Sequence, residues 1–123
     1  MKNMSFMLTR QQVLDHSKTV TRRMGWKRLL PDCQIQPVAK GMGLKLGEKI
    51  ERIGLPVLIV CVEFEPLCRM TDDPEYGKAE CIKEGFPDLT PSEFIDMFCN
   101  SHKGCLPGTE VTRIEFKYLE CGA

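Results

Sequence analysis

The segment Lys18-Thr19-Val20-Thr21-Arg22-Arg23 is the part of the chain whose residue types could carry chemistry, because it places two hydroxyls among three cations. A threonine hydroxyl can attack a carbonyl only if a base removes its proton, and a desolvated lysine can be that base. A guanidinium suits phosphate or carbonyl oxygens through its fork of donors. The pattern alone also fits a solvated lysine that precedes an ordinary strand.

Charge is distributed unevenly along this chain of zero formal net charge. Residues 1–30 carry seven Lys and Arg against the single acid Asp15, a net of +6. Residues 62–100 carry ten acids against three cations, a net of −7. The basic segment therefore either meets an external anion such as RNA, or it pairs with the acidic middle of the same chain.

Glu84 occupies a locally unfavourable position. It falls in the last turn of a predicted helix, where a carboxylate meets the negative end of the helix dipole, and Glu80 precedes it by four residues. A residue that violates two local preferences indicates a compensating partner or a functional site. The basic segment is the first candidate partner, and Lys78 or Lys83 on the same helix is the alternative.

Helix-capping patterns and hydrophobic alternation predict an α+β protein. Thr9 with Gln12 and Thr90 with Glu93 are capping boxes, and Asp73-Pro74 is typical of a helix start. Turns between the strands favour a curled antiparallel or mixed sheet over parallel βαβ units. The predicted elements are a helix over 9–16, a strand over 18–22, a short strand around Ile35 and Val38, a glycine-rich turn over 41–47, a strand over 57–65, helices from Asp73 to Gly85 and from Thr90 to about Phe98, and a strand over 110–119.

Length and composition predict one domain over residues 1–123. No apolar run approaches the roughly 20 residues of a membrane helix, and the start lacks a signal-peptide core, so we expect a cytoplasmic protein that does not engage membranes. The seven cysteines include no CxxC pair and are expected to be free thiols. Cys99-x-x-His102-x-x-Cys105 lacks a fourth ligand and zinc-type spacing, so we expect neither metal nor cofactor there.

Three segments resemble the ASCH domains, which are relatives of the PUA fold. Lys18-Thr19-Val20-Thr21-x-Arg23 resembles the family motif G-x-K-x-x-T-x-R, with His16 at the glycine position. Glu84-Gly85-Phe86 is similar to a helix end of the family, and Val111–Phe116 is similar to its closing strand. The resemblance implies a small PUA-like β-barrel of mixed or antiparallel strands with flanking helices and a cleft beside the motif.

The resemblance also implies a function directed at RNA or a modified nucleoside. Some small members of the family hydrolyse N4-acetylcytidine, and their catalytic Lys, Thr and Glu would correspond to Lys18, Thr21 and Glu84. Whether Lys18 is a base or a fixed cation stays open, because burial and a neighbouring carboxylate shift its pKa in opposite directions.

Two readings of this resemblance stay open, with a third that rests on charge alone. The first is a binding domain whose basic cleft holds RNA or a nucleoside, and the second is an amidohydrolase that uses the three residues. In either case Arg22, Arg23 and Trp26 are the expected substrate-binding residues, Trp26 by stacking on a base. The third is an interaction module that binds another protein through its charge asymmetry.

Overall fold

The computed structural model describes residues 1–40 and 46–119. Five strands and four α-helices make up this part of the chain, with a 3₁₀ turn over Met7–Thr9 before the first helix. The elements are β1 Lys2–Ser5, α1 Arg10–Leu14, β2 Val20–Arg23, β3 Gln34–Val38, β4 Val57–Pro66, α2 Arg69–Asp72, α3 Pro74–Lys83, α4 Pro91–Ser101 and β5 Glu110–Tyr118.

The strands form one mixed sheet in the order β1-β3-β4-β5-β2. β1 runs parallel to β3, and the other neighbouring pairs are antiparallel. The predicted α+β class and mixed sheet are therefore confirmed.

The described strands do not close into the predicted barrel, because β1 and β2 are opposite edges of the sheet. Closure would require a backbone ladder between these edges. Instead, the backbone N–H of Thr19, just before β2, donates to the carbonyl of Lys83 at the end of α3 at 2.8 Å. Side chains bring the two edges close: the Arg23 guanidinium lies 4.7 Å from the Phe6 ring centroid.

Two apolar clusters lie on the two faces of the sheet because side chains alternate along each strand. On β5, Ile114 and Phe116 enter the first cluster and Val111 enters the second, which the helices cover. The first contains Met4, Phe6, Val13, Ile35, Ile53, Val57, Ile59, Ile114 and Phe116. The second contains Leu67, Met70, Cys81, Phe94, Ile95, Phe98, Cys105 and Val111.

The two long helices begin where the capping patterns predict. Asp73 accepts a hydrogen bond from the backbone N–H of Tyr76, and the Thr90–Glu93 capping box forms in both directions. α3 stops before Gly85, whose φ of +95° suits glycine. α4 extends to Ser101, beyond the predicted end near Phe98, so the start of each helix was easier to predict than its end.

The first helix is shorter than predicted, and its capping box does not form. Thr9 makes no side-chain cap, and α1 ends at Leu14. The amide of Gln12 donates instead to the carbonyl of Gly85 at 3.1 Å, so a tertiary contact replaces the local one. β1 and α2 were not predicted, and residues 41–45 of the predicted glycine-rich turn lie outside the described residues.

Within the described ranges, no helix is both long and apolar enough to cross a membrane. The six cysteines described there are free thiols, and Cys121 lies outside those ranges. The Cys99 and Cys105 sulfurs are 3.8 Å apart as thiols.

Candidate functional site

A cavity of about 420 Å³ lies along the outer edge of β2, and we call it the cleft. The 3₁₀ turn, the end of α3 and one face of α4 form its other walls. The polar lining residues include Lys18, Thr21, Arg22, Arg23, Glu84 and His102. The apolar lining residues include Phe6, Phe86, Phe94, Met97 and Phe98. The cleft thus combines a charged floor with aromatic walls.

Lys18 enters the cleft from the junction between α1 and β2. His16 adopts a left-handed φ of +65°, and the backbone N–H of Lys18 donates to the carbonyl of Gln12 at 3.2 Å. The Tyr118 hydroxyl donates to the Lys18 carbonyl at 2.6 Å, and the Tyr118 ring stacks on His16. Residues three apart on a regular strand face opposite sides, but Lys18 precedes β2, so it can share a cavity with Thr21.

Lys18 and Glu84 form a buried ion pair. The Lys18 ammonium donates to Glu84 Oε1 at 2.9 Å and to the Glu84 carbonyl at 2.7 Å. Both side chains are only 3% exposed. Burial lowers the pKa of Lys18 and outweighs the opposing effect of the Glu84 carboxylate. An ammonium has three donors, so these two bonds leave the third for a molecule in the cleft.

Thr21 and Arg23 share one face of β2 because they are two residues apart. The Arg23 Nε–H donates to Thr21 Oγ1 at 3.1 Å, while Thr21 itself is buried. Desolvation lowers the pKa of Arg23 to about 10, which keeps it cationic at neutral pH. The contact fixes the Thr21 oxygen but leaves its hydroxyl hydrogen free to point elsewhere.

Arg22 lines the cleft in part, but its guanidinium enters a network of buried charges. Its guanidinium donates to Glu84 Oε2 at 3.0 Å, to Glu80 at 2.6 Å and to Glu65 at 3.2 Å. Its side chain has no exposed surface, and its Nε is the one buried side-chain nitrogen or oxygen of the described residues that has no hydrogen-bond partner. Arg22 is therefore held by carboxylates, and through Glu84 it helps to position the Lys18 ammonium.

Glu80 is the centre of that network. Besides Arg22, it accepts hydrogen bonds from the guanidinium of Arg113 on β5. Burial alone would raise the pKa of Glu80, but the hydrogen bonds from Arg113 and the charge of Arg22 lower it to about 2. We call Arg22, Glu65, Glu80 and Arg113 the buried network.

The charge asymmetry of the sequence is thus partly resolved inside the fold. Lys18 and Arg22 of the basic start pair with carboxylates of the acidic middle. Sequence reasoning proposed this partner for Glu84 but missed Glu65, Glu80 and Arg113. The Glu80–Glu84 repulsion was the available signal, since both carboxylates are relieved by Arg22.

Trp26 lies apart from the cleft. It lines a separate cavity together with Lys2, whose ammonium is 6.0 Å from the indole ring centroid. Five of the six predicted site residues therefore line the cleft, and Trp26 does not.

The aromatic wall from α4 was also missed. Phe94 and Phe98 are four residues apart and lie on one helix face, the spacing that could have indicated a shared wall. His102 stacks on Phe98, and its Nδ1 lies 2.9 Å from the Phe98 carbonyl. Within the described residues, no group of three or more side chains could hold a metal ion.

Comparisons of this chain with protein-family profiles, with curated proteins and with solved structures found no match.

Proposed function

We propose that the protein is an ASCH-like, PUA-related domain whose cleft takes up a modified nucleoside and hydrolyses its N4-acyl amide, with N4-acetylcytidine as the prototype substrate. One observation carries the proposal: a buried Lys18–Glu84 pair lies in the same aromatic cavity as Thr21. A solvated lysine after a helix would need neither burial nor a carboxylate partner. Burial with incomplete hydrogen bonding is typical of a group prepared for a ligand.

In this mechanism Thr21 is the nucleophile and Lys18 is the base. The lowered pKa of Lys18 increases its neutral fraction. The neutral amine takes the Thr21 hydroxyl proton while Oγ1 bonds to the acyl carbon, and the carbonyl electrons move to oxygen. Arg23, which already contacts Oγ1, supplies positive charge for that oxyanion.

The second half of the reaction restores the residues. The carbon–N4 bond breaks as the Lys18 ammonium returns its proton to N4, which releases cytidine and leaves an acyl ester on Thr21. Water then attacks this ester with Lys18 again acting as the base, and the proton passes to Thr21 Oγ1 as the carboxylic acid leaves. Glu84 keeps the Lys18 nitrogen in place throughout.

The dimensions of the cleft suit a nucleoside. Its volume of about 420 Å³ falls in the range of small-molecule sites. Flat aromatic walls can stack on a pyrimidine ring.

The backbone also supports the proposed family. His16, at the glycine position of the motif, has the left-handed φ that glycine adopts without strain. The side-chain contact between the two sheet edges supports a PUA-like arrangement that is incompletely closed.

Incubation with a panel of N4-acylated cytidines tests the proposal, with release of cytidine as the readout. Thr21→Ala should abolish turnover, whereas Thr19→Ala, which removes a neighbouring hydroxyl outside the cleft lining, should not. Thr21→Ser should retain part of the activity because it keeps the nucleophile.

Wild type that binds a nucleoside without turnover would identify a binding site instead. Lys18→Ala should then weaken nucleoside affinity. This second candidate is supported by the two hydrogen bonds from Lys18 to Glu84, which favour a fixed cation. If the protein neither binds nor hydrolyses any of the N4-acylated cytidines, both the hydrolase proposal and the binding-site candidate are contradicted.

A further inference from the structure

A second cavity, with a volume of about 830 Å³, lies beside Trp26. It lies between the start of β1, the segment 24–30 that follows β2, and the start of β3. It shares no lining residue with the cleft. We call it the Trp26 cavity, and its size is that of a ligand site.

The Trp26 cavity is lined by three cations and by no acid. Lys2, Lys27 and Arg28 belong to the lining, and none of them forms an ion pair with another described residue. Asp32, the acid closest in sequence, is not part of the lining. Of the seven cations in residues 1–30, three are in ion pairs and Arg23 lines the cleft, so the remaining three belong to this cavity.

A tight turn presents the indole to this cavity. Gly25 and Trp26 both have left-handed φ values, +88° and +56°. Such a conformation is uncommon for a tryptophan and is kept only where the surroundings hold it. Here the Thr112 hydroxyl donates to the Gly25 carbonyl at 2.5 Å, which fixes the turn to β5. The half-buried Trp26 ring is thus held in position and remains accessible.

We propose that the Trp26 cavity binds a segment of single-stranded nucleic acid. A base stacks on the Trp26 indole while Lys2, Lys27 and Arg28 contact the flanking phosphates. Single-strand sites combine these two features, an aromatic platform and a positive groove. A membrane surface would also attract the cations, but a concave site with a half-buried tryptophan suits an inserted base better than a lipid bilayer. The proposal does not depend on hydrolysis in the cleft.

Trp26 is the only tryptophan in the chain, so its fluorescence reports on this cavity alone. Titration with a single-stranded uridine hexanucleotide should quench the emission saturably. Three neutralised phosphates predict that log K falls with log salt with a slope of about −2. Free uridine, which lacks phosphates, should bind far more weakly. Saturable binding without salt dependence would overturn the proposal.

Charge-matched variants distinguish binding in the Trp26 cavity from nonspecific electrostatic attraction between the hexanucleotide and the protein surface. The double variant Lys27→Gln/Arg28→Gln should weaken hexanucleotide binding roughly tenfold and reduce the salt slope by about 1.4. The control Lys103→Gln/Lys117→Gln removes two exposed cations outside the cavity and should leave affinity and slope unchanged. Equal losses in both double variants would overturn the proposal.

Two further measurements complete the test. Trp26→Ala should weaken binding of a labelled hexanucleotide by roughly tenfold or more, because base stacking is lost. A Trp26 emission shift with anionic phospholipid vesicles, but none with the hexanucleotide, would assign the cavity to membranes and overturn the proposal. Because Lys27 and Arg28 lie outside the cleft, their double variant should hydrolyse N4-acetylcytidine like wild type, so failure of either proposal is recognised separately.

Discussion

The cleft and the buried network adjoin at Arg22 and differ in how completely their buried charges are satisfied. In the network, Glu80 accepts from Arg22 and from Arg113 on the neighbouring strand. In the cleft, Lys18 uses two of its three donors, both on Glu84. Glu84 belongs to both regions, since its second oxygen accepts from Arg22.

This difference separates charges that hold the fold together from charges that can act on a ligand. A carboxylate enclosed by guanidinium groups stays ionised, so it does not take up a proton at neutral pH. For Lys18, desolvation lowers the pKa more than the Glu84 carboxylate raises it. The pKa of this lysine is therefore below its usual value. Alternation along β2 places these two environments a single residue apart, at Thr21 and Arg22.

The largest expected effect is on stability, from Glu80→Gln in the buried network. Removal of this charge leaves Arg22 and Arg113 without their shared carboxylate, and breaking a buried pair typically costs about 3–5 kcal/mol. Urea denaturation should show this loss in the free energy of unfolding. Glu75→Gln, an exposed acid on the same helix, should cost less than about 1 kcal/mol. Equal effects of the two changes would contradict a structural role for the network.

Acid should weaken the same network in the wild type. The pKa of Glu80 falls from 4.5 to about 2 on folding, so its contribution is present above pH 4.5 and is lost as the pH falls toward 2. This difference corresponds to at most about 3 kcal/mol. Denaturation curves at several pH values should show this decline, and the Glu80→Gln curve should be flatter in the same range.

The sequence predicted the elements that depend on local signals, and it missed those that depend on distant partners. Both long helices begin at capping residues that can be read from the chain, at Asp73 and Thr90. The capping pattern at Thr9 failed because Gln12 contacts Gly85, which lies far away in sequence. β1 is half exposed and only four residues long, so its alternation is too short to distinguish it from a loop.

The candidate site shows the same division. The local conflict at Glu84 correctly indicated a cationic partner, and the motif spacing indicated Lys18. Trp26 was expected to stack on a base in the same site, but the turn at Gly25 directs it into another cavity. Arg22 was expected to bind substrate, yet the acids that enclose it come from β4 and α3, which sequence spacing alone does not reveal.

A change on the cleft side should affect stability less than one in the network. Lys18→Met replaces the ammonium with an apolar chain of similar length, and Glu84 keeps its hydrogen bond from Arg22. We expect the free energy of unfolding to change by no more than about 2 kcal/mol, because the cost of burying the ammonium disappears with it. Turnover of N4-acetylcytidine should be lost. A stability loss as large as that of Glu80→Gln would show that Lys18 is structural.

The smallest effect on stability, and the most specific test of the comparison, is expected from the titration of Lys18 itself. Burial lowers the pKa of this lysine below 10.5, so above its folded pKa the unfolded chain binds more protons than the folded one. The free energy of unfolding should therefore rise modestly with pH up to about 10, a trend that Lys18→Met should lack. Turnover should rise with pH up to about 10, below which Arg23 is still largely cationic, because only the neutral amine can accept the Thr21 proton. The carboxylates of the network are already ionised there, so the difference between the wild-type and Lys18→Met curves reports on the cleft. A rate that is independent of pH up to about 10 would mean that Lys18 acts as a fixed cation, and the chemical distinction between the cleft and the network would be lost.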